Sequence, residues 1–246
     1  MTTEAEAINA AEGFNERGYA LFPNVLSHER IDELLSNFMS LVREQSGRDF
    51  DDPHGPELVE YFEAHPEVES RVYDAMRGPD WLHEFSLHTE IVEPVRAILG
   101  TEVELLGKIP FRIDLPRSVQ ELAFWHQDYF YVRGNTSIVT AWVPMQSTRF
   151  LQGALTVMPG SHLLGAVPHE LKIGKRDVPI GVYDREIRMV EMDKGDLLLF
   201  DSLLLHSGNL NMSESVRYSI QARYTPAGGP VDPGMGGSLP VSGGSA

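Results

Sequence analysis

Gly100 divides the sequence into two parts of different periodicity, and this narrows the folds open to the chain more than any other feature. Before it, apolar residues recur at helical spacing. Ile31, Leu34, Leu35, Phe38 and Leu41–Val42 follow Ser27, a candidate cap, with Glu29 and Asp32 in the first turns. Phe62, Val68, Val72 and Met76 form a weaker stripe, and Ile91, Val95, Ile98 and Leu99 a third that Gly100 closes. A short strand is expected at 19–22. After Gly100 come short strand-like runs at 103–113, 122–132, 137–143, 154–158, 188–192, 196–200 and 216–224, separated by Gly, Pro and Asn. Helices first and many short strands afterwards predict a mainly β fold with flanking helices, a sandwich or barrel with the helices packed outside.

No repeat or linker splits the chain, so residues 1–224 read as one domain: a mainly helical shell over 1–104 and a β core over 105–224. Residues 163–187 carry few regular signals and a basic run, Lys172, Lys175 and Arg176, as a lid or a solvated loop would. Residues 225–246 hold 7 Gly and 4 Pro and little to bury, so this tail is expected to be disordered.

Charge and composition exclude several functions. Residues 1–104 carry 23 acids and 7 bases, whereas 105–246 carry 13 of each. A net charge of −16 disfavours nucleic acid as a partner. No apolar run is long enough for a membrane span, and the first residues carry acids where a secretory leader needs bases, so a cytoplasmic protein is expected. With no cysteine, disulfides, thiolate catalysis and Cys-ligated metals are ruled out, and any metal must sit on His, Asp and Glu.

The segment FWHQDYFYV, 124–132, carries the chemistry. If it is a strand, His126 and Asp128 share a face while Gln127 points away. That is part of a metal site; non-haem iron(II) needs two His and one carboxylate with open positions beside them. His206, after the apolar run of GDLLLFDSLLLHSGN, is the candidate third ligand. In VRYSIQARY, 216–224, alternation puts Val216, Tyr218, Ile220 and Ala222 on one face and Arg217, Ser219, Gln221 and Arg223 on the other. Arg217, 11 residues beyond His206, is placed to clamp a carboxylate. A lone His-x-Asp is common, and His88-Thr89-Glu90 is a second match that reads as a helix start.

The order of motifs is more specific. FNERGYALFPNVLSHERIDELL, WHQD at 125–128, TAWVPM at 140–145, GALTVMPGSH at 153–162, GDLLLF at 195–200, His206 and Arg217 together resemble the phytanoyl-CoA hydroxylase-like family of iron(II)- and 2-oxoglutarate-dependent dioxygenases, over about residues 14–224. The resemblance implies a double-stranded β-helix (jelly roll, cupin-like) core, with His126, Asp128 and His206 as iron ligands and Arg217 on the distal carboxylate of 2-oxoglutarate. It places Trp142 in the cosubstrate pocket and Lys108 and Arg71 near it. It implies oxidation of a small organic molecule at a C–H bond with O2 as cosubstrate and release of succinate and CO2. Asp128 argues against halogenation, for which relatives carry a small residue there. Gly208 stands two after His206, where relatives often carry Ser, and FRIDLP, with Arg112, stands where they often carry Lys-Pro-Pro. Tyr129, Tyr131 and Arg133 are candidates for the substrate pocket. Two other readings stay open: a cupin-like metal-binding isomerase or ligand-binding jelly roll without 2-oxoglutarate chemistry, and a β-sandwich interaction module whose histidines are incidental.

Overall fold

The structure, a computed structural model, describes residues 13–119, 122–172 and 175–241. After β1 (Tyr19–Phe22) come five helices: α1 (His28–Ser46), α2 (Pro56–Ala64), α3 (Pro66–Ala75), α4 (Asp80–Ser86) and α5 (Thr89–Leu99). Local chemistry sets their ends. Proline stands in the first turn of α2 and α3, and left-handed Gly47 and Gly100 end α1 and α5 with N–H bonds to the Arg43 and Arg96 carbonyls. His88 caps α5 by accepting the Glu90 N–H. Ser27 occupies the expected cap of α1, but its side chain makes no cap bond; its N–H goes instead to Glu90 Oε2 at 3.2 Å.

The remaining elements are β2 (Val103–Leu106), β3 (Phe111–Asp114), α6 (Tyr129–Val132), β4 (Val139–Pro144), β5 (Leu155–Val157), β6 (Glu170–Lys172), β7 (Lys175–Asp177), β8 (Arg188–Val190), β9 (Leu197–Asp201), β10 (His206–Ser207), β11 (Arg217–Pro226) and β12 (Ser238–Pro240). One antiparallel sheet runs β1-β9-β4-β11-β2-β12, with β3 also on β11; a second runs β10-β5-β8; β6 and β7 form a separate hairpin. The two sheets form a jelly roll.

Alternation along the central strands separates two layers. Val139, Ala141 and Val143 of β4, Leu197 and Leu199 of β9, and Tyr218, Ile220, Ala222 and Tyr224 of β11 join one core with α1–α5, where Phe38 stacks on Phe111 at 5.1 Å. Trp142, Leu198 and Phe200 point the other way and pack with Leu155, Val157 and Val190 of the second sheet. The space between the sheets is where β11 delivers its polar face. Two buried tyrosines tie that strand to the helical layer: Tyr224 Oη donates to the Ser86 carbonyl and Tyr218 Oη to the Pro53 carbonyl, each at 2.5 Å.

The structure departs from the sequence reading in three places. The run 103–113 is two strands, because residues 107–110 turn against the chain end; a Cβ on Gly107 would lie 2.7 Å from the Gly236 carbonyl oxygen. The run 122–132 is not a strand: His126 makes a single bridge and the chain then turns helical. Residues 225–241 are not a loose tail. β11 runs to Pro226, β12 pairs with β2, and Met235 is buried with Leu106, Val132 and Ile138. The glycines here shape turns that let a few apolar residues dock; residues 242–246 lie outside the described part. Among the described residues, no helix is long and apolar enough to cross a membrane.

Met235→Ala is therefore expected to cost about 2–5 kcal/mol in a urea melt, the range for truncating a buried Met. An unchanged midpoint would show that the chain end adds nothing to the fold.

Candidate metal and cosubstrate site

The site begins with a backbone bridge. His126 and His206 are paired, each N–H donating to the other's carbonyl at 2.9 and 3.0 Å. The imidazoles therefore lie side by side, ring centroids 4.2 Å apart. Nδ1 of His126 lies 2.6 Å from the Phe124 carbonyl oxygen, and Nδ1 of His206 3.0 Å from that of Leu204. A carbonyl only accepts, so both protons belong on Nδ1 and both Nε2 lone pairs are free for a metal.

Asp128 reaches this point by a route the sequence reading did not foresee. Its backbone is helical (φ −58°, ψ −30°), and its carbonyl accepts the Tyr131 and Val132 N–H groups. A turn of helix, not strand alternation, brings the carboxylate back. Oδ1 lies 3.7 Å from His126 Nε2 and 3.9 Å from His206 Nε2, and the donor atoms of the three residues all fall within 4.8 Å of one another. Gln127 does point away. It is buried, donating to the Gly165 and Leu203 carbonyls and accepting the Val167 N–H, so it ties the 163–187 segment to the segment that carries His126 and Asp128.

The carboxylate is held from behind. Thr140 Oγ1 donates to Asp128 Oδ2 at 2.7 Å. Arg223 donates from Nε to Oδ2 and from Nη2 to Oδ1, both at 3.1 Å. Thr140 and Arg223 are cross-strand partners on β4 and β11, so the sheet register brings both to one carboxylate. Burial pushes the Asp128 carboxyl up, but Arg223 and the two imidazoles outweigh it and hold the group well below the usual carboxylate range. Burial, reinforced by His126, pushes the His206 imidazole down to about 4, so it is neutral at pH 7 as a ligand must be.

Arg217 is buried six residues before Arg223 on the same inward face of β11. Its Nη2 lies 2.7 Å from Asp114 Oδ2, and Nη1 donates to the Gly153 carbonyl. Asp114 is its register partner on β3 and also takes Arg112 Nη2 at 2.6 Å. Both guanidiniums keep the Asp114 carboxyl below its ordinary range against the upward push of burial.

A cavity of about 560 Å³ joins these groups; His126, Asp128, His206, Trp142, Arg217 and Arg223 all line it. Of the other residues singled out from sequence, Tyr131 lines it, its ring meeting His126 edge-on at 5.4 Å. Tyr129 and Arg133 are not among its lining residues, because the helical turn directs only part of α6 inward; Arg133 is exposed with φ +45°. Lys108 and Arg71 are also outside it. Lys108 is exposed between β2 and β3, and Arg71 is exposed on α3, donating to the Gln45 carbonyl. Gly208 lines the cavity, while the Ser207 hydroxyl turns to the Ala123 carbonyl. Sequence reasoning gave no role to Arg223, Asp114 or Thr140. The alternation that placed Arg223 beside Arg217 was the available signal for the first.

Two imidazole nitrogens and one ionised carboxylate on one side of a cavity fit iron(II), with positions left for further ligands. Fold and site place this protein among the non-haem iron(II)- and 2-oxoglutarate-dependent oxygenases, and a carboxylate at position 128 sets it apart from halogenases. The chain belongs to the phytanoyl-CoA dioxygenase (PhyH) family, whose model matches residues 14–219. It is 29% identical over 232 residues to 1-deoxypentalenic acid 11-beta-hydroxylase of Streptomyces arenae, covering 87% of this chain and 79% of that protein. It is 35% identical over 111 residues to the peroxisomal phytanoyl-CoA dioxygenase of Bos taurus, a match covering 42% of this chain and 33% of that one. The apo structure of the non-heme monooxygenase ThoJ superposes with a TM-score of 0.70 at 21% identity, covering 96% of this chain and 84% of that one.

Arg223→Met leaves the Asp128 charge buried without its partner. The metal-free protein is expected to lose about 3–5 kcal/mol, and saturating manganese(II) is expected to restore part of that by binding the native state alone. Equal melting of variant and wild type without metal would show that the guanidinium does not hold the carboxylate.

Proposed function

We propose that this protein hydroxylates a C–H bond of a small organic metabolite, with iron(II) on His126 Nε2, His206 Nε2 and an Asp128 oxygen, and with Arg217 on the distal carboxylate of 2-oxoglutarate. The observation that carries this reading is the meeting of the three donors and Arg217 in one cavity. When bound, iron and 2-oxoglutarate supply the oxidising power, O2 being consumed and succinate and CO2 released.

The chain's own residues do the positioning. The main-chain carbonyls behind Nδ1 of both histidines fix ring orientation, and Arg223 with Thr140 fixes the carboxylate. Arg217, already locked by Asp114 and the Gly153 carbonyl, offers a planar fork whose orientation costs little further entropy. Trp142 gives the cosubstrate a flat wall. Tyr131 and the β6–β7 hairpin flank the cavity and limit water at the reacting centre. The cavity volume supports a small substrate, and the hydroxylase relative from Streptomyces arenae supports hydroxylation. A jelly roll that only binds a metal has no use for Arg217 in this cavity, which favours the oxygenase over a cupin-like isomerase.

An anaerobic titration tests this. Iron(II) followed by 2-oxoglutarate is expected to produce the visible charge-transfer band of the chelate. Arg217→Lys, which keeps a charge beside Asp114 but loses the fork, is expected to weaken 2-oxoglutarate binding by roughly 10- to 100-fold, the worth of one or two charge-assisted hydrogen bonds. An iron-loaded wild type with no band would overturn the assignment of the cosubstrate.

A further inference from the structure

Two of the three ligands flank Gln127, and that residue is bonded to two other segments at once. It is fully buried. Nε2 donates to the Leu203 carbonyl at 2.7 Å and to the Gly165 carbonyl at 2.8 Å, and Oε1 accepts the Val167 N–H at 2.9 Å. Its backbone N–H donates to His169 Nε2 at 3.0 Å. Leu203 lies three residues before His206, and Leu204 between them supplies the carbonyl behind the His206 ring. Gly165, Val167 and His169 lead into β6 of the hairpin. One amide thus joins both ligand-bearing segments to the foot of the hairpin.

The other arm of the hairpin meets the same segment. Just after β7, the Val178 N–H donates to the Trp125 carbonyl at 2.8 Å, and Lys175 Nζ donates to the Leu122 carbonyl at 2.8 Å. The His169 ring packs on Phe130, centroids 3.6 Å apart, and the Arg176 guanidinium lies over the same ring at 5.8 Å. Residues 122–130 therefore present metal ligands to the cavity and hold both arms of the hairpin, whose Leu171, Lys175 and Arg176 also line that cavity. A buried amide left unpaired forfeits its full desolvation cost. Neither the hairpin foot nor the ligand segment can then shift alone. Three lone-pair donors within 4.8 Å of one another repel, and a divalent cation turns that repulsion into attraction.

We propose that Gln127 is a positioning residue that couples metal occupancy to the seating of the β6–β7 hairpin. Closing the triad on a cation holds residues 126–128 in place, and Gln127 passes that constraint to the Leu203 turn and to the hairpin. The part of the cavity wall that the hairpin supplies is then fixed by the metal. By reciprocity, a seated hairpin strengthens the hold on the metal. This rests on the metal part of the oxygenase reading and needs nothing of the cosubstrate or substrate.

Hydrogen-exchange mass spectrometry of the full chain tests this, with manganese(II) as the only added ligand. Each variant is held at about 100 times its own Kd from calorimetry, where an opening that breaks the metal site is suppressed ~100-fold. In the wild type, peptides covering 165–169 and 175–178 are expected to exchange at least ~10-fold more slowly with metal than without, while those covering α2 are unchanged. Gln127→Met keeps the volume and loses the side-chain bonds. It is expected to weaken manganese(II) binding by roughly 10- to 100-fold and, even when saturated, to lose the slowing at the hairpin. Val42→Ala, a truncation in the buried core of the helical layer, lowers stability and is expected to keep it. Should Gln127→Met fail to fold, Gln127→Asn, whose amide falls a methylene short, takes its place with the same expectation. The proposal is overturned by wild-type hairpin peptides that exchange alike with and without manganese(II). A Gln127 variant that keeps the slowing overturns it too, as does a Val42→Ala variant that loses it. A wild type that takes up no manganese(II) in calorimetry is a different failure, that of the metal assignment, and this proposal falls with it.

Discussion

One buried negative charge, on Asp128, organises the centre of this molecule. An ionised carboxylate removed from water costs several kcal/mol unless it is paired and hydrogen-bonded. Here β4 supplies Thr140 and β11 supplies Arg223 from paired register positions, and the α6 turn aims the carboxylate between two imidazoles. The chain end supports that turn from outside. Met235 packs on Val132, and Asn135 donates to the Pro230 carbonyl at 2.8 Å and to Thr225 Oγ1 at 2.9 Å. The strand register, the short helix and the docked terminus all serve the position of one side chain.

The jelly roll lets a stable core and a charged cavity share the same strands. On β11, Tyr218, Ile220, Ala222 and Tyr224 anchor the helical layer, while Arg217, Gln221 and Arg223 enter the cavity from the opposite face. A slip of one residue would exchange the two sets, placing guanidiniums in the hydrocarbon core. The tyrosine hydroxyls bonded to the Ser86 and Pro53 carbonyls oppose that slip. The acidic helical part of the sequence covers the outer face of the sheet, so most acids lie far along the chain from the arginines that line the cavity.

Much of this was legible in the sequence because it rests on periodicity. The stripe from Ile31 to Val42 is a helix, the period-two pattern at 216–224 is a two-faced strand, and Gly100 ends a helix because its left-handed backbone lets the chain turn. The ordered motifs brought forward His126, Asp128, His206, Arg217 and Trp142, and the fold gathers all five around one cavity. Features set by long-range partners were not legible. Tyr129–Val132 has a strand-like composition, yet forms a helical turn that brings Asp128 to the two histidines. The Gly- and Pro-rich end looked unable to pack, yet a handful of apolar residues, Met235 and Val241 among them, find buried places. Lys108 and Arg71 were drawn in by position along the motif series, and neither reaches the cavity. The partnership of Asp114 with Arg217 spans 103 residues and leaves no local signature.

The most direct measurement of the central claim is anomalous diffraction at the iron edge from crystals of the iron(II)-loaded protein grown without oxygen. The expected result is one strong peak in coordination contact with His126 Nε2, His206 Nε2 and an Asp128 oxygen, with Arg223 still bonded to that carboxylate. A peak elsewhere, or a fully loaded protein in which Asp128 does not touch the iron, would contradict it.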